Sequence, residues 1–234
     1  MNIVITGSGK GIGKGLAEKF SARGNQVFIC SRTEEDLLKI IQEINKRKPG
    51  AVIKYLVVDL SIKNEVLRFT DWIVAQGVTV DILINNAGQF IPGSVYNEEE
   101  GTLEKMIEVN LYSAYHITRA LLPEMMKKKR GHIFNICSIA SLKAYHNGGA
   151  YSISKFAMMG FSKNLREEMK PYNIKVTSVY PGATLTPTWE GADLDPGRIL
   201  EVSDIVEMIY AASQLSPQAC VEDLIIRPQL GDLP

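Results

Sequence analysis

Residues Thr6–Gly13 read TGSGKGIG, and they lie between a short apolar run at the start of the chain and a longer amphipathic run. Glycine permits the tight turn that a junction of strand and helix needs, and it lets a ligand approach the backbone. A phosphate at the start of the helix would meet free N–H groups and the positive end of the helix dipole. The stretch predicts a phosphate-binding turn, although a glycine-rich turn alone can also be a turn without a ligand.

Short apolar runs alternate with longer amphipathic runs along the rest of the chain. Asp81–Ile84 and His132–Ile136 do not alternate polar with apolar residues, which is typical of strands covered on both faces of a parallel sheet. We therefore predict an α/β fold with a doubly wound sheet. The predicted strands are Asn2–Thr6, Gln26–Cys30, Val52–Val58, Val80–Ile84, His132–Cys137, Lys175–Val179 and Asp223–Arg227. The predicted helices are Ile12–Ala22, Glu34–Arg47, Lys63–Gln76, Thr102–Lys128, Ala150–Lys170 and Ser203–Gln214.

Composition narrows the class of protein. The 234 residues include 26 Lys and Arg against 26 Asp and Glu, and this zero net charge argues against a nucleic-acid-binding protein. The three cysteines form no close pair and the histidines have no metal-ligand spacing, so we expect no disulfide framework, no metal site and a cytoplasmic location. The first residues enter a strand without a signal-peptide pattern, and no apolar run is long enough to span a membrane.

The end of the second predicted strand indicates which dinucleotide the turn would bind. A dinucleotide site normally has an acidic residue there, which binds the ribose 2′-hydroxyl. This chain has Ser31 and Arg32 at that point. The guanidinium of Arg32 and the hydroxyl of Ser31 are donors suited to a 2′-phosphate, and Lys10 can reach the same group. We expect NADP(H) to be preferred, with NAD(H) the weaker alternative.

A tyrosine and a lysine lie four residues apart, at Tyr151 and Lys155, in a predicted helix, where this spacing puts both on one face. Such a pair can be a tyrosine packed against a lysine stem, but Ser138 ends a predicted strand thirteen residues earlier (151 minus 138). Reduction of a ketone requires a proton for the developing alkoxide. A cation beside the tyrosine would lower its pKa, and Ser138 would hydrogen-bond the carbonyl oxygen.

Taken in order, the motifs resemble those of the short-chain dehydrogenase/reductase family. The glycine spacing Gly7, Gly11 and Gly13, the Asn-Asn-Ala-Gly sequence at Asn85–Gly88, and the segment Pro181–Thr186 all match that family, together with Ser138, Tyr151 and Lys155. Asn110 matches a further asparagine of the family, and the match spans about residues 2–186. The resemblance implies one Rossmann-type domain over 1–234, a seven-stranded sheet in the order 3-2-1-4-5-6-7 with helices on both faces, and a homodimer or homotetramer.

The resemblance also implies roles for individual residues. Asn110, Ser138, Tyr151 and Lys155 would be catalytic, with Lys155 also binding ribose hydroxyls and Asn110 holding a water that links Lys155 to solvent. The expected cofactor-binding residues are Gly7, Ser8, Lys10, Gly11, Ile12, Gly13, Ser31, Arg32, Asp59, Leu60, Asn86, Ala87, Gly88, Tyr151, Lys155, Pro181, Gly182, Thr184 and Thr186.

The substrate site is less closely defined. The stretch Pro181–Gly197 is rich in proline and glycine, and we predict a substrate-binding loop or lid over residues 183–202. The residues expected to face the substrate form a partly apolar, partly aromatic pocket that suits a medium-sized ketone, aldehyde or acyl group. They are Ser138, Gln89, Phe90, Leu142, Tyr145 and Trp189.

The expected function is therefore reversible, NADP(H)-dependent reduction of a small-molecule carbonyl to an alcohol, with the tyrosine as general acid and base. A 3-oxoacyl-[acyl-carrier-protein] reductase is an alternative, because the basic run Lys127–Arg130 could meet an acidic carrier; otherwise that run is a helix end followed by Gly131. However, Cys220–Pro228 replaces the glycine-rich end of that subgroup and looks more like the sepiapterin reductase and 3-hydroxy acid dehydrogenase branch. A non-catalytic NADP-binding regulator is an alternative of another class, although such proteins often lose the tyrosine–lysine pair.

Overall fold

The computed structural model describes residues 1–187 and 195–233. Its strands are β1 (Asn2–Ile5), β2 (Gln26–Ser31), β3 (Ile53–Val57), β4 (Ile82–Asn85), β5 (Gly131–Ile136), β6 (Ile174–Pro181) and β7 (Asp223–Ile226). They form one seven-stranded sheet in the order β3-β2-β1-β4-β5-β6-β7, and every neighbouring pair is parallel. This order and pairing confirm the predicted doubly wound sheet.

Helices cover both faces of the sheet, because side chains of successive strand residues point to opposite faces. The helices are α1 (Gly11–Ala22), α2 (Glu34–Arg47), α3 (Lys63–Val74), α4 (Thr102–Ile107), α5 (Ser113–Lys128), α6 (Gly149–Met169) and α7 (Val202–Ser213). In β1, Ile3 and Ile5 pack with α1, α2 and α7, while Val4 packs on the other face with α3, α5 and α6. Among the described residues, no helix combines the length and apolar character that crossing a membrane requires.

The long helix predicted over Thr102–Lys128 is interrupted. A π-helical turn at Glu108–Tyr112 separates α4 from α5, and Asn110 lies buried in this turn. Such turns insert one residue into a helix and are common at functional sites. The apolar periodicity on either side still reads as helix, so the sequence pattern alone does not show the insertion.

The end of α5 also differs from the expectation. Lys129, not a glycine, takes the left-handed conformation after the helix, with φ at 48°. Gly131 already belongs to β5, and a Cβ built there would lie 2.3 Å from the methyl carbon of Met125. The glycine therefore permits close packing of a helix against a strand and does not cap the helix.

A row of buried polar side chains links the central strands to the helices. Asn85 donates through Nδ2 to Thr118 Oγ1 at 3.0 Å and to Asn135 Oδ1 at 2.8 Å. Asn135 in turn donates to Ser162 Oγ at 3.0 Å, and Ser162 Oγ lies 2.8 Å from Ser178 Oγ. Because an unpaired polar group in this interior would be costly, these bonds favour one register of β4, β5 and β6.

His132 is buried at the start of β5. Its Nε2 lies 2.8 Å from Thr177 Oγ1, and the Thr177 hydroxyl donates to the Val221 carbonyl at 2.5 Å. Since the hydroxyl has only one proton, Nε2 must be the donor to Thr177. The ring stacks on Phe134 with 3.9 Å between centroids. Burial lowers the pKa of His132 from 6.5 to about 3, and the charge on Lys175 acts in the same direction.

This burial predicts loss of stability in mild acid. Below pH 6.5 the histidine is protonated in the unfolded chain but stays neutral in the native protein. The free energy of unfolding therefore decreases as the pH falls towards 3. Between pH 6.5 and 5 this one group should remove about 2 kcal/mol of the free energy of unfolding. Urea unfolding of the wild type and His132→Gln at several pH values checks this, because the variant should show a flatter dependence. Parallel curves would contradict the prediction.

Candidate active site

The predicted site residues lie along one edge of the sheet. Gly7 follows β1, Arg32 follows β2, Asn86 follows β4, Ser138 follows β5 and Gly182 follows β6. Because the strands are parallel, their carboxyl ends share an edge, which is where open α/β sheets bind ligands. Segments that are far apart in sequence therefore meet in one cleft.

The glycine turn is packed too closely for side chains. Gly7 and Gly11 have φ of 63° and 53°, in the left-handed region that favours glycine. A Cβ at Gly13 would lie 2.4 Å from the Gly7 carbonyl oxygen, and one at Gly7 would lie 2.8 Å from Ala87 Cα. Since α1 begins at Gly11, its first N–H groups face this turn, and they form a cradle for a phosphate.

Thr6 and Asn86 join the glycine turn to the end of β4. The Asn86 amide donates to the Thr6 carbonyl at 2.9 Å and to the Gly7 carbonyl at 3.0 Å. In return, Thr6 Oγ1 accepts hydrogen bonds from the backbone N–H groups of Asn86 and Ala87 at 3.0 and 2.9 Å. Thr6 is absent from the residues that the sequence predicts for the site. Its position as the first residue of the glycine motif was the signal that could have found it.

Some predicted cofactor-binding side chains are engaged inside the protein. Ser8 is fully buried, its hydroxyl donates to the Ile5 carbonyl at 2.7 Å and its N–H donates to the Cys30 carbonyl at 2.9 Å, so both of its donors are used inside the protein. The Asp59 carboxylate accepts hydrogen bonds from the backbone and hydroxyl of Ser61 at 2.9 and 2.8 Å. Leu60 is buried, and Ile12 is partly buried against the core.

The end of β2 lies beside the glycine turn. A Cβ at Gly9 would lie 3.1 Å from Ser31 Oγ, so the two segments are in contact. The Ser31 hydroxyl donates to the Thr33 carbonyl at 3.0 Å. Lys10 and Arg32 are exposed, and Lys10 Nζ lies 3.8 Å from the carboxylate of Asp36 in the first turn of α2. The end of β2 therefore brings together the predicted cations and the carboxylate of Asp36, which pairs with one of them.

Ser138 and Tyr151 come from different elements and meet. Ser138 follows β5, and its Oγ accepts a hydrogen bond from the Ala140 N–H at 3.1 Å, which holds the side chain in place. The Ser138 side chain lies close enough to Tyr151 to act on the pKa of its phenol. Ser138 and Lys155 are buried, and Lys155 lies one turn after Tyr151 on α6.

Lys155 connects α6 to β5. Its Nζ donates to the Ile136 carbonyl at 2.9 Å and lies 5.9 Å from the centroid of the Tyr151 ring. A Cβ at Gly88 would lie 3.4 Å from the same Nζ and 3.3 Å from Asn110 Oδ1. The predicted catalytic residues are therefore grouped around a glycine that leaves space between Lys155 and Asn110.

The pKa of Tyr151 differs from the sequence-based expectation. Burial raises the pKa of its phenol above the ordinary value, and the Ser138 side chain only partly opposes this. Burial likewise lowers the pKa of Lys155. In the protein alone, desolvation of the phenolate thus outweighs the lowering expected from the lysine. Burial also raises the pKa of Cys137 to about 12, which makes this neighbouring thiol a neutral packing group.

Asn110 holds the segment that follows β4. Its Oδ1 accepts from the Gln89 N–H at 2.7 Å, and its Nδ2 donates to the Gln89 carbonyl at 3.0 Å and to Ser154 Oγ at 2.9 Å. Such a two-way bond to one backbone residue needs the amide in a single orientation. The π-helical turn that carries Asn110 is thereby tied to α6 and to the cleft.

Aromatic side chains flank Tyr151. The Phe90 ring meets the Tyr151 ring edge to face, with centroids 4.8 Å apart. Burial raises the pKa of Tyr145 to about 12, and the nearby Tyr151 adds to the increase. Leu142 is exposed near the end of β5. Trp189, the remaining predicted substrate residue, lies outside the described residues.

The segment after β6 returns to the glycine turn. A Cβ at Gly11 would lie 3.1 Å from the Thr186 methyl carbon, so Thr186 covers the start of α1. Thr184 is buried, donates to the Gly182 carbonyl at 2.9 Å, and forms an isolated parallel bridge with Leu200. The bridge between Thr184 and Leu200 thus joins the two described parts of the predicted lid, residues 183–187 and 195–202.

A doubly wound parallel sheet with a phosphate cradle at its first turn defines a dinucleotide-binding fold of the Rossmann type. The chain belongs to the short chain dehydrogenase family, whose profile matches residues 1–196. It is 33% identical to a sepiapterin reductase of Chlorobaculum tepidum, over 99% of this chain and 97% of the relative.

Solved structures agree with this assignment. A metagenomic short-chain oxidoreductase in complex with NADP is 28% identical, covers 98% of this chain and 97% of its own, and has a TM-score of 0.84. The closed form of a serine dehydrogenase complexed with NADP⁺ is 26% identical, covers 97% of this chain and 94% of its own, and has a TM-score of 0.87. The glycine turn described above fits the phosphates of a dinucleotide, because the first N–H groups of α1 face it and the close packing at Gly7 and Gly13 keeps the turn compact.

Gly13→Ala tests how tight the cradle is. The added Cβ would collide with the Gly7 carbonyl and with Asn86 Nδ2 at 2.5 Å, so we expect the free energy of unfolding to fall by about 1–3 kcal/mol. Gly160→Ala in α6 is the control, since no atom of the described chain lies within 4 Å of a Cβ built there. That variant should gain about 0.5–1 kcal/mol from helix propensity. Urea denaturation measures both changes, and equal stability of the two variants would refute the prediction.

Proposed function

We propose that this protein is an NADP(H)-dependent oxidoreductase that reversibly reduces a small-molecule carbonyl to an alcohol. The observation that carries the proposal is a chain of contacts from the glycine turn to the half-buried tyrosine and the buried lysine. Gly7 packs on Ala87, the adjacent Gly88 packs beside Lys155 Nζ, and Lys155 lies beside the Tyr151 ring. A cofactor that follows this path would bring its reactive end to the tyrosine.

The protein side of the chemistry is proton transfer and stabilisation of charge. A bound NADPH supplies the hydride to the carbonyl carbon. The Tyr151 hydroxyl donates its proton to the oxygen on which negative charge develops, and the Ser138 hydroxyl hydrogen-bonds the same oxygen. In the oxidative direction Tyr151 takes the proton back from the alcohol. Because burial raises its pKa, Tyr151 is protonated at neutral pH, which is the form that reduction needs.

Lys155 and Asn110 support this transfer. The Lys155 ammonium stabilises the phenolate that remains after Tyr151 has given up its proton. We propose that the space kept open by Gly88, between Lys155 Nζ and Asn110 Oδ1, holds a water through which the lysine exchanges protons with solvent. Lys155 also offers donors for the ribose hydroxyls of the cofactor.

Tyr151→Phe should lower the rate of carbonyl reduction by about 100-fold or more, while NADPH binding changes little, because it removes only the transferable proton. The measurement is consumption of NADPH by a panel of diketones, aromatic ketones, aldehydes, 3-oxo esters and sepiapterin. Tyr172→Phe makes the same chemical change outside the site and serves as the control. Substantial activity in Tyr151→Phe would contradict the assignment of Tyr151 as the proton donor. Tight NADPH binding by a wild type that turns over no panel member would favour the regulator alternative.

The charges at the end of β2 should select NADP(H). Arg32→Ala should weaken NADP⁺ binding by about 10–100-fold and leave NAD⁺ binding nearly unchanged, because only NADP⁺ has the 2′-phosphate. Lys14→Ala is the matched control, since Lys14 is a nearby cation whose Nζ is paired with Glu43 at 2.7 Å. Titration of the protein fluorescence with each dinucleotide gives the dissociation constants. Equal losses for NADP⁺ and NAD⁺ in Arg32→Ala would contradict the proposed contact.

Asp36→Asn should act in the opposite direction. The Asp36 carboxylate pairs with Lys10 and would repel a 2′-phosphate bound beside the end of β2. Its removal should tighten NADP⁺ binding by a few fold, an effect that added salt screens. Glu35→Gln in the same helical turn is the control. Unchanged NADP⁺ affinity in Asp36→Asn at low ionic strength would place the phosphate elsewhere.

The aromatic and apolar side chains of Phe90, Tyr145 and Leu142 favour an apolar or aromatic carbonyl compound as the substrate. Phe90 lies against Tyr151, Tyr145 is close enough to Tyr151 for its charge to act on the Tyr145 pKa, and the exposed Leu142 lies in the chain between β5 and α6. Aromatic faces bind flat, weakly polar substrates well. The similarity to a sepiapterin reductase is the reason for including sepiapterin in the panel.

We also propose a homodimer or homotetramer. Exposed apolar side chains lie on the outer faces of the π-helical turn, α5 and α6, where a second copy would cover them. They are Tyr112, Tyr115, Ile153 and Phe156. Sedimentation velocity of the wild type and of Phe156→Asp would show whether these residues form the contact.

A further inference from the structure

The helix that carries Tyr151 and Lys155 begins without a cap of its own. α6 starts at Gly149, and its N-cap residue is Gly148, which has no side chain to accept from the first N–H groups. The first turn reads Gly-Ala-Tyr-Ser, so it contains no acidic side chain to offset the helix dipole. The start of a helix with two glycines is also costly to order, since glycine loses the most backbone freedom on folding. Tyr151 is the third residue of this helix.

Glu98 supplies the missing cap from another part of the chain. Its Oε2 accepts a hydrogen bond from the Ala150 N–H at 3.1 Å, across 52 residues of sequence. The carboxylate also needs the glycine that follows the N-cap, because a Cβ at Gly149 would lie 2.6 Å from the same oxygen. A carboxylate at this position both satisfies a free donor and stabilises the positive end of the helix.

The turn before α6 is held by the same segment. The Gly93 N–H donates to the Asn147 carbonyl at 3.2 Å, and the Ser94 hydroxyl donates to Asn147 Oδ1 at 2.7 Å. Asn147 has φ at 57°, so it adopts a left-handed turn that these two bonds support. We call residues 89–98 the clasp. The first residue of the clasp, Gln89, is bound to Asn110, and its last residue, Glu98, is bound to α6.

The clasp therefore meets the site at both ends. Near its start Phe90 packs on the Tyr151 ring, and at its end Glu98 binds the residue directly before Tyr151. These two contacts hold both the ring and the backbone of the same tyrosine. A catalytic group that donates a proton must be held within a fraction of an ångström, and small displacements cost large factors in rate.

We propose that Glu98 is a positioning residue: its carboxylate caps the catalytic helix across the cleft and holds Tyr151 in place for proton transfer. This inference rests on the proposed function for its effect on rate, but the cap itself is a property of the protein alone. Glu98 touches neither the substrate nor the reacting atoms in this assignment and acts through the backbone of Ala150.

Three variants separate this role from general destabilisation. Glu98→Ala removes the acceptor, Glu98→Gln keeps an oxygen that can accept from Ala150 N–H, and Glu100→Ala removes an exposed charge from the same region as a control. We expect Glu98→Ala to lower kcat for the best panel substrate about tenfold, with KM and the dissociation constant of NADPH within about twofold. Glu98→Gln should restore most of kcat, and Glu100→Ala should match the wild type.

Hydrogen–deuterium exchange gives a readout that does not depend on turnover. Amides of the peptide that covers residues 145–158 should exchange about fivefold faster or more in Glu98→Ala than in the wild type, and close to the wild-type rate in Glu98→Gln. If the wild type reduces no substrate, the proposed function fails while this exchange arm still decides whether Glu98 caps α6. Unchanged exchange in Glu98→Ala, or an unchanged kcat in an active enzyme, would overturn the proposal. So would equal loss of kcat in Glu98→Gln and Glu98→Ala.

Discussion

The Asn86 side chain joins the ends of β1 and β4 by donating to the carbonyl oxygens of Thr6 and Gly7. The arrangement of the cleft depends on this joint, because it sets where the glycine turn lies relative to the segment that follows β4. It exists only because Gly13 has no side chain, since a Cβ there would occupy the position of the Asn86 amide. One close packing contact thus determines both the shape of the cradle and the path from it to Lys155.

Burial defines the chemistry of the tyrosine and the lysine. Lys155 is buried and Tyr151 is half-buried, and the reduced contact with water raises the pKa of Tyr151 and lowers that of Lys155, so each charged form depends on its neighbours. The Ile136 carbonyl and Ser138 are the neighbours that the protein itself provides. A bound cofactor with a positive ring would add a further charge at this place, which makes the protonation of Tyr151 responsive to the state of the cofactor. The row from Asn85 to Ser178 keeps the strands that carry these groups in register.

Two walls of the cleft, the clasp and residues 182–186, lie outside the named helices and strands. The clasp is held by Asn110 at one end and by α6 at the other, and the segment after β6 is held against Gly11 by Thr186. Side chains supplied by distant elements thus replace the local hydrogen bonds that a helix or strand would have.

The sequence by itself determined the parallel strands and the main candidate residues of the site, because both leave local signatures. Unbroken apolar runs predicted the parallel strands, and the glycine spacing with Ser138, Tyr151 and Lys155 predicted a site at their ends. The π-helical turn at Asn110, the role of Thr6, the pairing of Lys10 with Asp36 and the capping of α6 by Glu98 were decided only by the tertiary structure. Each of these depends on contacts between residues distant in sequence or on a one-residue shift within a helix, and neither changes the local pattern of polar and apolar residues. Glu98 is one of three consecutive glutamates, and only the folded chain distinguishes it, by bringing its carboxylate to the open end of another helix.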